Sequence, residues 1–254
     1  MKKIAKVLIV AAFLIFMISG AVWADTINAR PVSIPSGGSL DPLQAIFTSI
    51  SSEINVYNDQ EAAAIFTYAG SAVGTMFVAS VSLGYDAEVG LYKYGSPATK
   101  LTLYNGVTEG YTPAKTVQIY FDALGNAKTI DPDTLTVIDS ETGFGSQFGF
   151  YIKTDVYGSM YSEDSLNQSA QVLMFQGIAN DLVNIGAYSN MNDLDHWYAA
   201  FEIANSGNFP WNQGNIDFND AVVRFESINP VPEPGTILLL GLGLLGIGIL
   251  RRKQ

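Results

Sequence analysis

Apolar and polar positions follow three different rules along this chain of 254 residues. Near the N-terminus, residues 7–18 form an unbroken apolar run behind Lys2, Lys3 and Lys6. Near the C-terminus, the uncharged apolar run 237–250 lies between Pro232, Glu233 and Pro234 on one side and Arg251, Arg252 and Lys253 on the other. Between these ends, one stretch has helical spacing. Leu43, Ile46, Phe47 and Ile50 fall at i, i+3, i+4 and i+7, with Asp41 placed to cap and Pro42 at the first helical position. This predicts one helix ending near Ser52, packed across a sheet.

After that helix, period two takes over. Phe77, Ala79, Val81 and Leu83 alternate with Val78, Ser80 and Ser82, and Val117, Ile119 and Phe121 with Gln118 and Tyr120. Phe148, Phe150 and Ile152 alternate with Gly149, Tyr151 and Lys153. Trp197, Ala199, Phe201 and Ile203 alternate with Tyr198, Ala200 and Glu202, and Ala221, Val223 and Phe225 with Val222, Arg224 and Glu226. Each segment predicts a strand with one face toward a core and one toward water. Turn clusters separate them, among them Asn105-Gly106, Gly125-Asn126 and Asp131-Pro132-Asp133. The fold class that follows is all-β: an antiparallel β-sandwich, jelly-roll-like, with one short N-terminal helix. Val89-Gly90-Leu91-Tyr92 echoes Phe148-Gly149-Phe150-Tyr151. Two related halves, about 41–140 and 141–230, or two similar strands would both produce that echo.

The two ends are processing segments rather than parts of this domain. Residues 1–24 have the positive start, the apolar middle and, at Val22 and Ala24, the small-residue pattern of a secretory signal peptide, an uncleaved N-terminal membrane helix being the other open reading. Residues 25–40 carry Pro31, Pro35, Gly37 and Gly38 and read as a loose leader, and 41–230 as the secreted domain. In the tail 231–254, prolines bar a helix from starting early, the segment 236–250 partitions out of water as a transmembrane helix, and the cations stop it on the cytoplasmic side. The apolar run of 14 residues reaches only about 21 Å as a helix, against about 30 Å of hydrocarbon. Such a helix suits a short-lived anchor.

Pro232-Glu233-Pro234, the apolar run and Arg251-Arg252-Lys253 together resemble the PEP-CTERM sorting signal of Gram-negative bacteria. The N-terminal segment calls for a signal peptidase; the resemblance implies, at the other end, transient anchoring in the inner membrane and cutting near Pro232–Pro234 by exosortase, a membrane protease. It also implies delivery to the outer envelope, cell surface or extracellular matrix, in the company of exopolysaccharide and biofilm formation. This resemblance covers the tail alone.

Charge narrows the partners. Residues 25–231 hold seven Lys and Arg against 23 Asp and Glu, a net charge of −16. Such a surface repels phosphate backbones, which argues against nucleic acid, and attracts divalent cations. There is no cysteine, so disulfides, thiolate metal sites and a cysteine nucleophile are excluded. His196 is the sole histidine and reads as a strand-edge residue.

The densest polar motif is Asn215-Ile216-Asp217-Phe218-Asn219-Asp220, just before the last long strand. Calcium takes six to eight hard oxygens, and Asp217, Asn219, Asp220 and Asn215 offer them, with Glu202 able to reach across from the neighbouring strand. Backbone turning and capping by the same side chains is the other open reading. The acidic stretch Asn190–Asp195 is a weaker second contributor. Residues 149–228 also resemble a secreted bacterial C-terminal β-domain of unknown function that closes in D-x-D-F-N-D-x-V-V. The matching residues are Phe150-Tyr151, Tyr161-Ser162-Glu163-Asp164-Ser165-Leu166-Asn167, Phe201-Glu202 and Asp217–Val223. Asn215 and Ile203 stand where that pattern has acids, which removes two carboxylates.

The functional expectation is an exported, non-enzymatic envelope or matrix protein, with calcium as the one candidate cofactor and no catalytic residues. The alternatives are a carbohydrate-binding module, with Tyr92, Tyr94, Trp197, Tyr198 and Trp211 stacking on sugars, and a glycan-active enzyme using paired carboxylates.

Overall fold

The computed structural model describes residues 30–32, 38–69, 74–83 (backbone only), 87–106, 115–155, 157–167, 170–203 and 216–231. All lie in one unit, Ile27–Val231. The expected signal helix and C-terminal transmembrane helix fall outside these residues. Among the described residues no helix is long and apolar enough to cross a membrane.

A single α-helix, α1 (Asp41–Ser49), opens the described chain. The first strands are β1 (Gln60–Glu61), β2 (Phe66–Tyr68), β3 (Gly74–Leu83), β4 (Glu88–Lys93) and β5 (Ser96–Asn105). β6 (Thr116–Phe121), β7 (Ala127–Ile130), β8 (Val137–Glu141), β9 (Gln147–Thr154) and β10 (Gly158–Tyr161) follow, then a 3-10 turn, Asp164–Leu166. β11 (Val172–Gln176), β12 (Leu182–Ile185), β13 (Tyr188–Asn192), β14 (Trp197–Phe201), β15 (Ala221–Phe225) and β16 (Ile228–Pro230) complete the order. The larger sheet runs β1-β11-β14-β15-β3-β6-β7-β8 and the smaller β16-β2-β9-β4-β5, with β10 also on β9; β12 and β13 form a separate pair. The described residues are thus mainly antiparallel β-structure with one short helix, in agreement with the sequence reading.

One apolar cluster joins the two sheets. Phe66 and Phe150 of the smaller sheet meet Trp197 and Phe225 of the larger, at ring separations of 5.0 Å (Phe66–Trp197) and 4.3 Å (Phe150–Phe225). Phe121 stacks between Tyr68 and Phe148. The alternation in β6 holds: Val117, Ile119 and Phe121 are buried while Gln118 and Tyr120 are partly exposed.

The larger sheet has a second covered face, where the sequence placed water. Every residue of β14 and β15 is buried. Tyr198, Ala200 and Val222 point away from the shared core into a second cluster with Leu43, Phe47 and Ile50 of the α1 region. Phe47 meets Phe175 and Tyr198 edge-on, both at 5.2 Å. Full burial of a phenylalanine is worth about 1.5–3 kcal/mol, which is why a helix of only nine residues persists. Its entry differs from expectation: Asp41 donates its N–H to Ser39 Oγ (3.1 Å), and its carboxylate accepts the Tyr57 hydroxyl (2.6 Å) instead of capping. Ser39 therefore serves the first turn.

The echoed segments turn out to be partners. β4 and β9 are antiparallel neighbours in the register Gly90↔Tyr151, Leu91↔Phe150 and Tyr92↔Gly149. Each tyrosine ring occupies the space a side chain would need at the opposite glycine. Tyr92 donates to Glu163 (2.6 Å) and Tyr151 to Glu88 (2.5 Å). Burial, with those carboxylates second, pushes both phenols well above their ordinary range. Tyr151 was expected to face water; instead Lys100 lies over its ring and that of Tyr161. Along the other edge, Thr102 of β5 donates its N–H to Asp139 of β8 (2.8 Å) and accepts Thr129 Oγ1 of β7 (2.8 Å), which laces the two sheets together. The leader is also tied: Arg30 pairs with buried Asp164, and Val32 donates its N–H to Gln60.

Because a methyl at position 149 overlaps the Tyr92 ring, Gly149→Ala should destabilise the domain by about 1–3 kcal/mol. Urea unfolding of the single variants and of Gly149→Ala/Tyr92→Leu should show strong non-additivity, with the smaller side chain relieving the overlap.

Candidate functional site

The acidic loop is built on the end of the β14–β15 pair. Phe201 pairs with Ala221, so Glu202, one residue beyond β14, faces the loop that enters β15. Its N–H is bonded to Gln171 O (2.9 Å). Its Oε2 accepts the backbone N–H groups of Asp217 (3.0 Å) and Phe218 (2.8 Å). Phe218 is fully buried yet sits at φ 53°, in the left-handed region that L-residues seldom enter. The buried ring and the two bonds to Glu202 hold that turn. Asp220 Oδ2 accepts the N–H of Ile203 (2.5 Å), closing the loop from the other side.

Electrostatics mark this place apart. Glu202 is 4% exposed. Burial first, then the charge of Asp220, raises its carboxyl from 4.5 to about 7. Burial likewise raises Asp220, with the Asp217 charge adding to it, and burial raises Asp217 against its bonds to Asn219. The structure therefore brings together Glu202, Asp217 and Asp220, with Asn219 hydrogen-bonded to Asp217. Asn215 lies outside the described residues. Much of the oxygen in this set already accepts backbone N–H groups, as the turn-and-cap reading anticipated. Among the described residues no group of three or more His, Cys, Asp or Glu is arranged to hold a metal ion.

The second acidic stretch does other work. Asp193, completely buried, accepts the Tyr198 hydroxyl (2.7 Å) and Arg224 Nε (3.0 Å), while Arg224 also donates to Asn192 O (2.9 Å). Arg224 lies four positions along β15 from the loop's edge, about 13 Å at strand rise, so Asp193 is a clasp at the opposite end. Alternation assigned Arg224 to water; it is 5% exposed. The signal that could have found this clasp is the lone cation within Ala221-Val222-Val223-Arg224-Phe225, since a buried charge requires a paired one.

Of the aromatics considered for sugar stacking, Tyr92 and Tyr198 are fully buried and Trp197 is 4% exposed, so none presents a face to a ligand. Tyr94 is 37% exposed, and Trp211 lies outside the described residues. His196 sits just before β14 with Nε2 3.6 Å from Glu226, at the strand's edge as expected.

The raised Glu202 carboxyl sets a pH dependence. Between about 4.5 and about 7 the folded protein keeps a proton that the unfolded chain has lost. This contribution is fully present below the lower value and is lost as pH rises through the upper one. Stability should fall from pH 5 to pH 8 by an amount on the order of 3 kcal/mol at most from this group. Glu202→Gln, which keeps an acceptor for Asp217 and Phe218, should flatten that part of the urea-unfolding profile.

The sorting tail, Pro232–Pro234 and Arg251–Lys253 included, follows directly on the last described residue. No curated protein and no solved structure matches this chain. Residues 230–253, by contrast, match the family model of the PEP-CTERM protein-sorting motif, so the chain carries the signal of an exported protein sorted by exosortase.

Proposed function

We propose that this protein is a non-enzymatic component of the cell surface or extracellular matrix, delivered there by removal of its own tail. The sorting motif at residues 230–253 carries the reading. The signal peptide takes residues 25 onward across the inner membrane, 236–250 holds them there, and Arg251, Arg252 and Lys253 fix the orientation. An exosortase-type protease then cuts near Pro232, Glu233 and Pro234, and the β-sandwich goes to an envelope rich in exopolysaccharide. The burial of Tyr92, Trp197 and Tyr198 favours a packing role for these aromatics over a sugar platform.

In the same proposal calcium binds the acidic loop through Asp217, Asn219, Asp220 and Asn215, with Glu202 behind them. The support is electrostatic. Three carboxyls held above their ordinary range are groups whose hydrogen bonds only partly offset the burial of their ionised form, and a divalent cation would supply the rest.

Protein released from the cell surface should have an intact mass that ends near Pro232–Pro234; a species ending at Gln254 would refute delivery by tail removal. For calcium, residues 25–231 should melt at a higher temperature in millimolar calcium than in EDTA. Superimposable melting curves would remove the metal from this account.

A further inference from the structure

The domain leaves no slack before its sorting motif. After β15 the chain turns at Ser227, which adopts φ 59°, and crosses from the larger sheet to the outer edge of the smaller one. There β16 pairs with β2 in the register Ile228↔Tyr68, Asn229↔Thr67 and Pro230↔Phe66. Ala69 donates its N–H to Ser227 O (2.7 Å) and Val231 donates its N–H to Ile65 O (2.9 Å). Pairing thus runs through Val231, and Pro232 is the next residue. Antiparallel alternation places Pro230 opposite Phe66 at a non-bonded position, where its missing N–H costs the ladder nothing.

A protease that cuts within an extended peptide must surround the backbone on both sides of the scissile bond, as in strand-type peptide recognition. Hydrolysis there adds water across one C–N bond, leaving a carboxylate on the domain and an amine on the tail. On the domain side of Pro232–Pro234 the residues to be surrounded are 228–231. They are engaged in a sheet, with Ile228 2% exposed. Yet they form a short edge element: a three-residue strand with Asn229 and Pro230 exposed. Short edge elements with few buried side chains open at low cost.

We infer that β16 is a release strand: it must unpair from β2 before the sorting protease can engage the motif. Unpairing 228–231 frees about 13 Å of extended chain, and the rate of tail removal follows the population of that opened state. The smaller sheet keeps β2, β9, β4 and β5, so the domain stays folded while its exit strand lifts. This inference rests on the sorting reading above.

The absence of cysteine makes the test clean. Thr67→Cys with Asn229→Cys links a directly opposed pair within disulfide reach. The full chain is supplied to membranes of a host carrying an exosortase-type protease, and tail loss is followed by intact mass. The oxidised double variant should lose its tail at least about tenfold more slowly than wild type. Reductant should restore the rate, and so should about ten Gly and Ser residues inserted between Val231 and Pro232 of the oxidised chain. An oxidised variant cut as fast as wild type overturns the inference, as does failure of the inserted linker to restore cutting. Wild-type chain that is never cut overturns the sorting reading itself, and the inference with it.

Discussion

The burial of β14 and β15 on both faces is the constraint on which the rest of this structure depends. One face contributes Trp197, Ala199, Phe201, Val223 and Phe225 to the core shared by the two sheets. The other lies beneath α1, with Tyr198, Ala200 and Val222 against Phe47 and its neighbours. A strand pair in that position has no water to solvate a charge. Arg224 therefore needs Asp193, and Asp193 needs Tyr198, in a clasp that fastens the segment after β13 to the middle of the larger sheet. Burying such a pair adds little net stability but makes loss of one partner costly. Its effect is to fix where the segment sits.

The smaller sheet solves a different problem with different chemistry. Its outer face carries two glycines and two large phenols in a reciprocal arrangement, each ring lying where the opposite residue has no side chain. The phenol hydroxyls reach Glu163 and Glu88, so the polar ends are satisfied while the rings are removed from water. The edges are closed by side chains: Asp139 and Thr129 lace β5 to the larger sheet. Ser162 bonds both Phe150 N–H and Ala64 O near the other edge. A cysteine-free secreted domain thus gains cohesion from packing and edge satisfaction.

Against that background the acidic loop and the exit strand carry the functional chemistry of the described residues. At the loop, a buried glutamate holds a left-handed turn in the company of two aspartates, so its protonation and any cation near it bear on local stability. At the exit, the edge strand β16 runs from the packed core into the first residue of the sorting motif. Both sit where β14 and β15 end, the loop before β15 and the exit after it, so the same central pair presents both.

How much of this was legible beforehand depends on whether the signal is local. The tail could be read from the sequence because its parts, turn prolines, apolar run and cations, act in linear order and need no partner. The helix face of Leu43, Phe47 and Ile50 and the β character of the chain were legible for the same reason: period alone encodes them. The cluster of Asp217, Asn219 and Asp220 was visible as composition, and Glu202 as a neighbour across a strand pair. Tertiary structure alone decided that Arg224 and Tyr151 are buried, that Tyr92 covers Gly149, and that Asp193 clasps β15 instead of joining the acidic loop. A strand's period distinguishes two faces but not whether the second is covered, because that depends on elements far away in sequence, here α1 and the β10 region, which arrive only when the chain folds.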